Sequence, residues 1–251
     1  MLPGLGKLTG MGDDGVADRE WSAKRVIGTL RMMRNPEFVK WRWNLHVVKP
    51  RYGIETVRDR VLDARYGGNC GGTYSSRWDH MGYRGTSSAH YYYLGKVFAE
   101  HNVPIGPDDV LVDVGCGKGR VLNFWLHRGL RNRMVGIEID ERWAEFAERR
   151  LSSYDNVEVL CGDAFELLPP ESSVVFIFNP FTRETTQRFK EHLEHLRPPG
   201  ADLTLVYYMA NYADLFAEDP SWEVTTVTDN TYHPTIIARL VGSRPVGGSD
   251  D

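Results

Sequence analysis

The stretch Asp113-Val114-Gly115-Cys116-Gly117-Lys118-Gly119-Arg120 decides how this chain folds. It ends a short β-branched run, Val110 to Val114, which is typical of a buried strand. It then opens an apolar-faced segment that predicts a helix over 120–129. Glycines in such a turn allow a sharp reversal and bring backbone N–H groups close to a ligand. The stretch therefore predicts a strand, a ligand-binding loop and a helix in direct succession.

Strand and helix patterns alternate downstream of this loop. Apolar runs predict further strands at 134–139, 157–160, 174–178 and 203–209. Two last strands, 222–227 and 235–241, are separated by seven residues, so no crossover helix fits between them and they should pair antiparallel. The predicted fold is α/β, with a Rossmann-like, seven-stranded, mostly parallel sheet, helices on both faces and a C-terminal β-hairpin. Ligands of such sheets bind at the carboxyl ends of the strands.

Composition divides the chain into four parts. Residues 1–18 are rich in Gly and Asp and are expected to form a mobile leader, and residues 242–251 a flexible tail. Residues 19–104 are aromatic, basic and irregular, which suggests an N-terminal helical and aromatic cap that forms the substrate region. Residues 105–241 carry the alternating pattern and should form the main domain.

Composition also excludes several classes of protein. Apolar residues make up 41% of the chain and charged residues 25%, which argues against wholesale disorder. The net charge of −4 argues against a globally basic nucleic-acid binder. Three cysteines without a CxxC pair indicate neither a disulfide framework nor a zinc site, so no metal is predicted and a cytoplasmic location is expected. No apolar run approaches the ~20 residues of a membrane span.

The spacing around the loop indicates the kind of cofactor. Glu138 ends the second strand, 23 residues after Gly115, where a carboxylate can accept both hydroxyls of a ribose. A dinucleotide fingerprint, GxGxxG, would need a glycine at the position of Arg120, which argues against an NAD-dependent oxidoreductase. Asp113 would repel a pyrophosphate but attract an ammonium and a nearby sulfonium. S-adenosylmethionine carries both groups.

At these motifs the chain resembles the class I S-adenosylmethionine-dependent methyltransferases, over roughly residues 85–241. The resemblance implies that Asp113 lies near the methionine part, that the three glycines approach the cofactor and that Glu138 holds the ribose. After the third strand, Asp163 would meet the adenine amino group and Ala164 would offer its backbone N–H. The implied cofactor-binding residues are Asp113, Gly115, Cys116, Gly117, Gly119, Glu138, Ile139, Asp163, Ala164 and Asn179.

The segment Asn179-Pro180-Phe181 follows the fourth strand. It resembles the (D/N)-P-P-(Y/F) loop of methyltransferases that act on planar or amide nitrogens, although it has one proline where that loop has two. The resemblance implies that the polar side chain and a carbonyl accept hydrogen bonds from the nucleophile while the aromatic ring stacks on the substrate. Asn179, Pro180, Phe181 and His90 are the predicted catalytic residues. The choice between nitrogen and oxygen acceptors stays open.

A base is needed only where the nucleophile arrives protonated. The candidates are His90, His80, Tyr92, Tyr207 and His233, each of which could equally be structural. Three consecutive tyrosines, 91–93, precede an apolar helix, and a turn of ~100° per residue means that not all can face inward. The sequence does not single out the inward one.

The N-terminal region is locally basic, since residues 19–66 hold twelve Lys/Arg and five Asp/Glu, a net charge of +7. Three interpretations fit: a lid over an anionic or flat substrate, a patch for nucleic acid or anionic membrane, and a packing arm that contacts the main domain or a second subunit as a homodimer. The predicted function is methyl transfer to a nitrogen or oxygen nucleophile of a small molecule or peptide. The alternatives are a protein or nucleic-acid methyltransferase that uses the basic region, and a non-catalytic S-adenosylmethionine-binding protein.

Overall fold

The computed structural model describes residues 50–71, 88–197, 202–227 and 234–241. The chain divides into two units after Ile54, and the second, Glu55–Asp251, contains the sheet. The predicted leader and tail, and most of the predicted cap, lie outside the described residues. The predicted domain boundary near residue 104 stays a prediction.

Helices and strands alternate along the described chain. The helices are α1 (Pro50–Arg65), α2 (Tyr91–Val97), α3 (Arg120–His127), α4 (Glu141–Leu151), α5 (Ala164–Leu167), α6 (Arg183–Leu196) and α7 (Asp214–Ala217). The strands are β1 (Leu111–Val114), β2 (Met134–Glu138), β3 (Val157–Cys161), β4 (Val174–Phe178), β5 (Thr204–Tyr208), β6 (Trp222–Thr226) and β7 (Thr235–Leu240). Each predicted strand is present, with ends that differ by at most a residue or two. None of the helices in these ranges is long and apolar enough to cross a membrane.

Within the described residues the seven strands form one sheet in the order β3-β2-β1-β4-β5-β7-β6. The first five strands pair parallel, and β7 pairs antiparallel with both β5 and β6. The predicted mostly parallel sheet with a C-terminal hairpin is confirmed. Because the strand order reverses direction between β1 and β4, the loop after β1 opens at the switch point, where ligands of such sheets bind.

Side chains alternate between two cores, one on each face of the sheet, as the period of two in a strand requires. On one face, Leu111 and Phe176 pack with aromatic side chains that include Phe98, the residue that follows α2, and Trp125 of α3. On the other face, Val112 packs with apolar side chains of α5, α6 and α7. The largest of these are Phe165, Phe189, Leu193 and Phe216. Helices therefore cover both faces, as predicted, and the carboxyl edge of the sheet is left for the loops.

Candidate active site

The loop after β1 depends on its three glycines. Gly115, Gly117 and Gly119 have φ of 73°, 53° and 77°, which is the left-handed region that glycine adopts without strain. The backbone N–H groups of Gly115 and Cys116 both donate to the carbonyl of Ile137 on β2, at 2.8 and 3.0 Å. The loop therefore curls back over the neighbouring strand and presents its backbone at the carboxyl edge.

Cys116 is the side chain of this loop that turns into the protein. It is buried, and a Cβ built on Gly136 would lie 2.9 Å from its sulfur. Burial raises the pKa of the Cys116 thiol well above its ordinary value, which disfavours the nucleophilic thiolate. The predicted contribution of Cys116 to the cofactor site therefore belongs to its backbone, while its side chain fills the space above Gly136.

Glu138 ties the glycine loop to the end of β2. Its Oε2 accepts a hydrogen bond from the Gly117 N–H at 2.7 Å, and its Oε1 accepts one from the Asp140 N–H at 2.9 Å. The carboxylate is buried, and this burial raises its pKa although the backbone donors oppose the shift. A carboxylate has about four lone-pair directions, so each oxygen can accept one more hydrogen bond. The geometry fits the predicted role of Glu138 as acceptor for the two ribose hydroxyls.

Asp113 is a buried carboxylate whose Oδ2 has no hydrogen-bond partner within the described residues. Its side chain is 2% exposed, and burial together with the nearby Glu138 raises its pKa well above the ordinary value. A buried charge without a partner is costly, and such groups commonly mark a ligand site. The ammonium group of a methionine moiety would supply the missing partner. The residues present therefore fit S-adenosylmethionine.

This raised pKa gives a testable dependence on pH. A carboxyl with a higher pKa in the folded chain binds more protons when folded, so the unfolding free energy should fall as pH rises from about 3.9 toward the raised value. Asp113→Asn should reduce this slope and raise the melting temperature at neutral pH, while it weakens S-adenosylhomocysteine binding. Thermal unfolding between pH 4 and pH 8 and titration calorimetry measure the two effects. Asp155→Asn, in an exposed turn, is the matched control, and a lower melting temperature for Asp113→Asn would contradict the argument.

Asp163 and Ala164 lie at the same edge, after β3. The N–H of Gly162 donates to the carbonyl of Glu138 at 3.0 Å, which joins the ends of β2 and β3. The Oδ1 of Asp163 then accepts from the Phe165 N–H at 2.9 Å and caps α5, of which Ala164 is the first residue. Beside them, Ile139 is an exposed apolar side chain. This edge offers a carboxylate, backbone N–H groups and an apolar surface, which suits an adenine ring.

The tip after β4 lies directly beside the glycine loop. A Cβ built on Gly115 would be 3.5 Å from the Cβ of Pro180. Asn179 has a left-handed backbone with φ of 42°, and its Oδ1 accepts a hydrogen bond from the Tyr207 hydroxyl at 2.9 Å. Burial raises the pKa of Tyr207 to about 12. As a proton donor with a raised pKa, Tyr207 is better suited to orient Asn179 than to act as a base.

The comparison with protein families agrees with this geometry. A family model described as a methyltransferase domain matches residues 111–200, which run from β1 through the tip to the end of α6. Residues 111–200 therefore resemble a methyltransferase domain, in agreement with the similarity of the motifs to class I S-adenosylmethionine-dependent methyltransferases. The Oδ2 of Asp113, free of partners among the described residues, and the acceptor oxygens of Glu138 fit S-adenosylmethionine as the cofactor of this domain.

Individual relatives match only parts of this chain. A probable cobalt-precorrin-6B C(15)-methyltransferase (decarboxylating) from Archaeoglobus fulgidus is 36% identical over 85 residues, which are 34% of this chain and 48% of the relative. Ribosomal RNA small subunit methyltransferase A from Thermotoga neapolitana is 34% identical over 76 residues, 27% of this chain and 28% of the relative. The chain thus spans less than half the length of these curated relatives.

Among solved structures, an RNA methyltransferase from Salinibacter ruber, in complex with S-adenosyl-L-homocysteine, aligns with a TM-score of 0.46 at 21% identity. The alignment covers 66% of this chain and 100% of that one.

A second left-handed residue, which the sequence does not reveal, lies at the same edge of the sheet as Asn179. Met209 follows β5 with φ of 53°, and the pairing of Phe178 with Tyr208 places it next to Asn179. Asn tolerates this conformation, but Met rarely adopts it, and such strain is concentrated at functional sites. Two adjacent strand ends therefore hold left-handed backbones where the methyl acceptor is expected, and the one at Met209 is strained.

Phe181 packs against the main domain. Its ring centroid lies 5.1 Å from that of Phe189 and 6.3 Å from that of Phe165, in the core beneath α6. The ring thus anchors the tip to α6, and its predicted stacking on the substrate stays a prediction.

The histidine and tyrosine candidates are placed differently from one another. His90 precedes α2, and its Nδ1 lies 2.5 Å from the Oδ2 of Asp59 on α1. Tyr91 and Tyr93 are buried in the core and Tyr92 is half-buried, so Tyr91 and Tyr93 are the inward-facing members of the three-tyrosine run. The candidates His80 and His233 lie outside the described residues.

No group of three or more metal-ligating side chains occurs in the ranges that the structure describes.

Proposed function

We propose that this protein transfers the methyl group of S-adenosylmethionine to a nitrogen or oxygen nucleophile of a small molecule or peptide. The observation that carries the proposal is the contact between the acceptor tip and the cofactor loop, with Pro180 3.5 Å from a Cβ position on Gly115. A side chain at this tip can touch both the cofactor and a bound acceptor. Methyl transfer requires chiefly that the nucleophile be aligned with the S–CH3 bond, and such alignment is what this edge can provide.

Each part of the site has a separate task in this proposal. The bound cofactor supplies an electrophilic methyl group on a sulfonium. Asp113 pairs with the ammonium, Glu138 accepts from the ribose and Asp163 from the adenine amino group. Asn179, held by Tyr207, orients the acceptor through its amide. The aromatic and apolar side chains around the tip exclude water.

His90 is the proposed base for an acceptor that arrives protonated. Its Nδ1 faces Asp59 at 2.5 Å, so the carboxylate favours the tautomer with the proton on Nδ1 and the basic lone pair on Nε2. A carboxylate in this position also fixes the orientation of the imidazole ring. His90 thereby has the partner that a general base requires.

A second candidate acceptor is RNA or protein, which two observations favour. One relative is named for ribosomal RNA methylation. In addition, Glu55, Asp59 and Asp63 of α1 are buried while Arg58 and Arg60 are exposed, so the described part of this helix presents more positive than negative charge to water. A basic surface of this kind suits phosphate backbones.

The test combines binding and turnover. Titration calorimetry should give a dissociation constant for S-adenosylhomocysteine below about 100 μM, within the usual range for substrates. Incubation with S-adenosylmethionine and pools of small molecules, peptides and RNA should yield one class of product heavier by the mass of a CH2 group. Binding without any product would favour the non-catalytic alternative, and a methylated RNA or protein would favour the second candidate. The predicted homodimer and cytoplasmic location stay predictions.

A further inference from the structure

Helix α1 has its acidic residues on the inward side. Asp59 and Asp63 are buried, as is Glu55, whereas Val57 and Val61 are 60% and 62% exposed. A helix on the surface of a globular domain usually does the reverse and buries its apolar stripe. Leu62 of α1 does reach the core, but buried carboxylates are costly without partners, so the three acids need partners on the domain.

Those partners converge on Asp63. Its carboxylate accepts two hydrogen bonds from the Arg120 guanidinium, from Nη2 at 2.6 Å and from Nε at 3.2 Å, so the contact is bidentate. It also accepts from the Tyr91 hydroxyl and the Cys70 N–H, both at 3.0 Å. The third guanidinium nitrogen of Arg120, Nη1, donates to Asp59 at 3.3 Å. The carboxylate of Asp63 thus accepts hydrogen bonds at both oxygens, and the residues that donate them lie outside α1.

Arg120 connects this cluster to the cofactor site. It is the first residue of α3 and follows Gly119, the last glycine of the loop. One residue earlier, the carbonyl of Lys118 accepts from Arg150 Nη2 at 2.6 Å and from the Cys70 sulfur at 3.3 Å. Hydrogen bonds therefore hold the end of the glycine loop at Lys118 and at Arg120. Cys70 takes part in the first contact and Asp63 in the second.

We propose that Asp63 is a positioning residue for the cofactor, which holds the end of the glycine loop in its binding shape through Arg120. The opposite side of the loop is already fixed by Glu138 through the Gly117 N–H. Without the second anchor, the left-handed turn at Gly119 is free to relax, and the backbone N–H groups of the loop no longer meet the cofactor together. The proposal rests on cofactor binding alone and is independent of the acceptor.

The experiment measures S-adenosylhomocysteine affinity and local hydrogen exchange in the full-length protein. Asp63→Asn should weaken binding at least tenfold and speed amide exchange in residues 113–123, while exchange in strand β5 stays as in the wild type. A purely structural role would instead speed exchange across the whole sheet. Asp63→Asn leaves the buried charge of Arg120 with too few partners. Arg120→Lys is therefore the second variant, because it keeps the positive charge but cannot make the bidentate contact of the guanidinium. It should weaken binding in the same direction.

Glu55→Gln is the matched control, since it removes a buried carboxylate from the same helix without any contact to the loop in the described structure. Its affinity should stay within twofold of the wild type. A double variant, Asp63→Asn with Arg120→Lys, should lose less affinity than the two single changes predict together, because the interaction can be lost only once. Unchanged affinity in a folded Asp63→Asn or Arg120→Lys variant overturns the proposal. If the wild type itself fails to bind, the cofactor assignment fails instead, and the two failures are distinguishable.

Discussion

Glu138→Ala is expected to weaken S-adenosylhomocysteine binding by about a hundredfold. The carboxylate is placed to accept two ribose hydroxyls, and hydrogen bonds to a charged group contribute about 1.5–3 kcal/mol each. The change also removes the acceptor of the Gly117 and Asp140 N–H groups, which are 2.7 and 2.9 Å from its oxygens. Loss of the ligand contact and loosening of the loop act in the same direction, so the combined effect should be large.

Titration calorimetry of Glu138→Ala against the wild type measures this effect. Glu141→Ala is the control, because Glu141 is an exposed acid in the first turn of α4 and has no contact with the loop among the described hydrogen bonds. Glu138→Gln separates the loss of the ribose contact from the loosening of the loop, since its amide oxygen can still accept a hydrogen bond from one backbone N–H. An affinity for Glu138→Ala equal to that of the wild type would mean that the ribose lies elsewhere.

The sheet could be predicted from the sequence because its signals are local. Short β-branched runs bounded by glycine or polar residues predict strands without reference to the rest of the chain. The seven-residue gap before Thr235 is likewise enough to forbid a crossover and to require an antiparallel partner. The spacing from the glycine loop to Glu138 also corresponds to one strand–helix–strand unit. The positions of the predicted cofactor residues therefore depend on segments that are close together in the sequence.

The anchors behind the loop could not be predicted, because they join distant parts of the chain. Asp63 and Arg120 are 57 residues apart, and their contact depends on how α1 lies against the domain. The only sequence signal was the four-residue spacing of Glu55, Asp59 and Asp63, which resembles a solvated helix face. The strained backbone of Met209 gave no signal at all, since its residue type favours ordinary conformations.

The loop therefore has two anchors of opposite character. Glu138 accepts from the Gly117 N–H of the loop and is the proposed acceptor for the ribose of the cofactor. Asp63 acts from behind, through Arg120, and its hydrogen bonds are all internal. A change at the first anchor removes a ligand contact, whereas a change at the second can alter affinity only through the shape of the loop. The two classes of variant should consequently differ in hydrogen exchange even where they weaken binding equally.

The acceptor tip should behave differently from both anchors. Asn179→Ala is expected to reduce turnover about tenfold to a hundredfold while S-adenosylhomocysteine affinity stays within twofold. Asn179 follows β4 beside the loop, whereas the residues proposed to hold the cofactor lie on β1, β2 and the turn after β3. Loss of one oriented hydrogen bond in a dry site costs about 1–3 kcal/mol, which gives that range of rates.

The left-handed backbone of Asn179 makes a matched pair of variants necessary. With φ of 42°, alanine adds strain that glycine does not, so Asn179→Gly removes the amide and keeps the turn. Both variants should lose turnover on the acceptor found by the product screen, and Tyr207→Phe, which frees the amide, should lose less. Normal turnover in Asn179→Gly beside a slow Asn179→Ala would assign the effect to strain alone. Loss of cofactor affinity in both would place Asn179 in the cofactor pocket, and the resemblance of the tip to the loops of nitrogen methyltransferases would then say nothing about the acceptor.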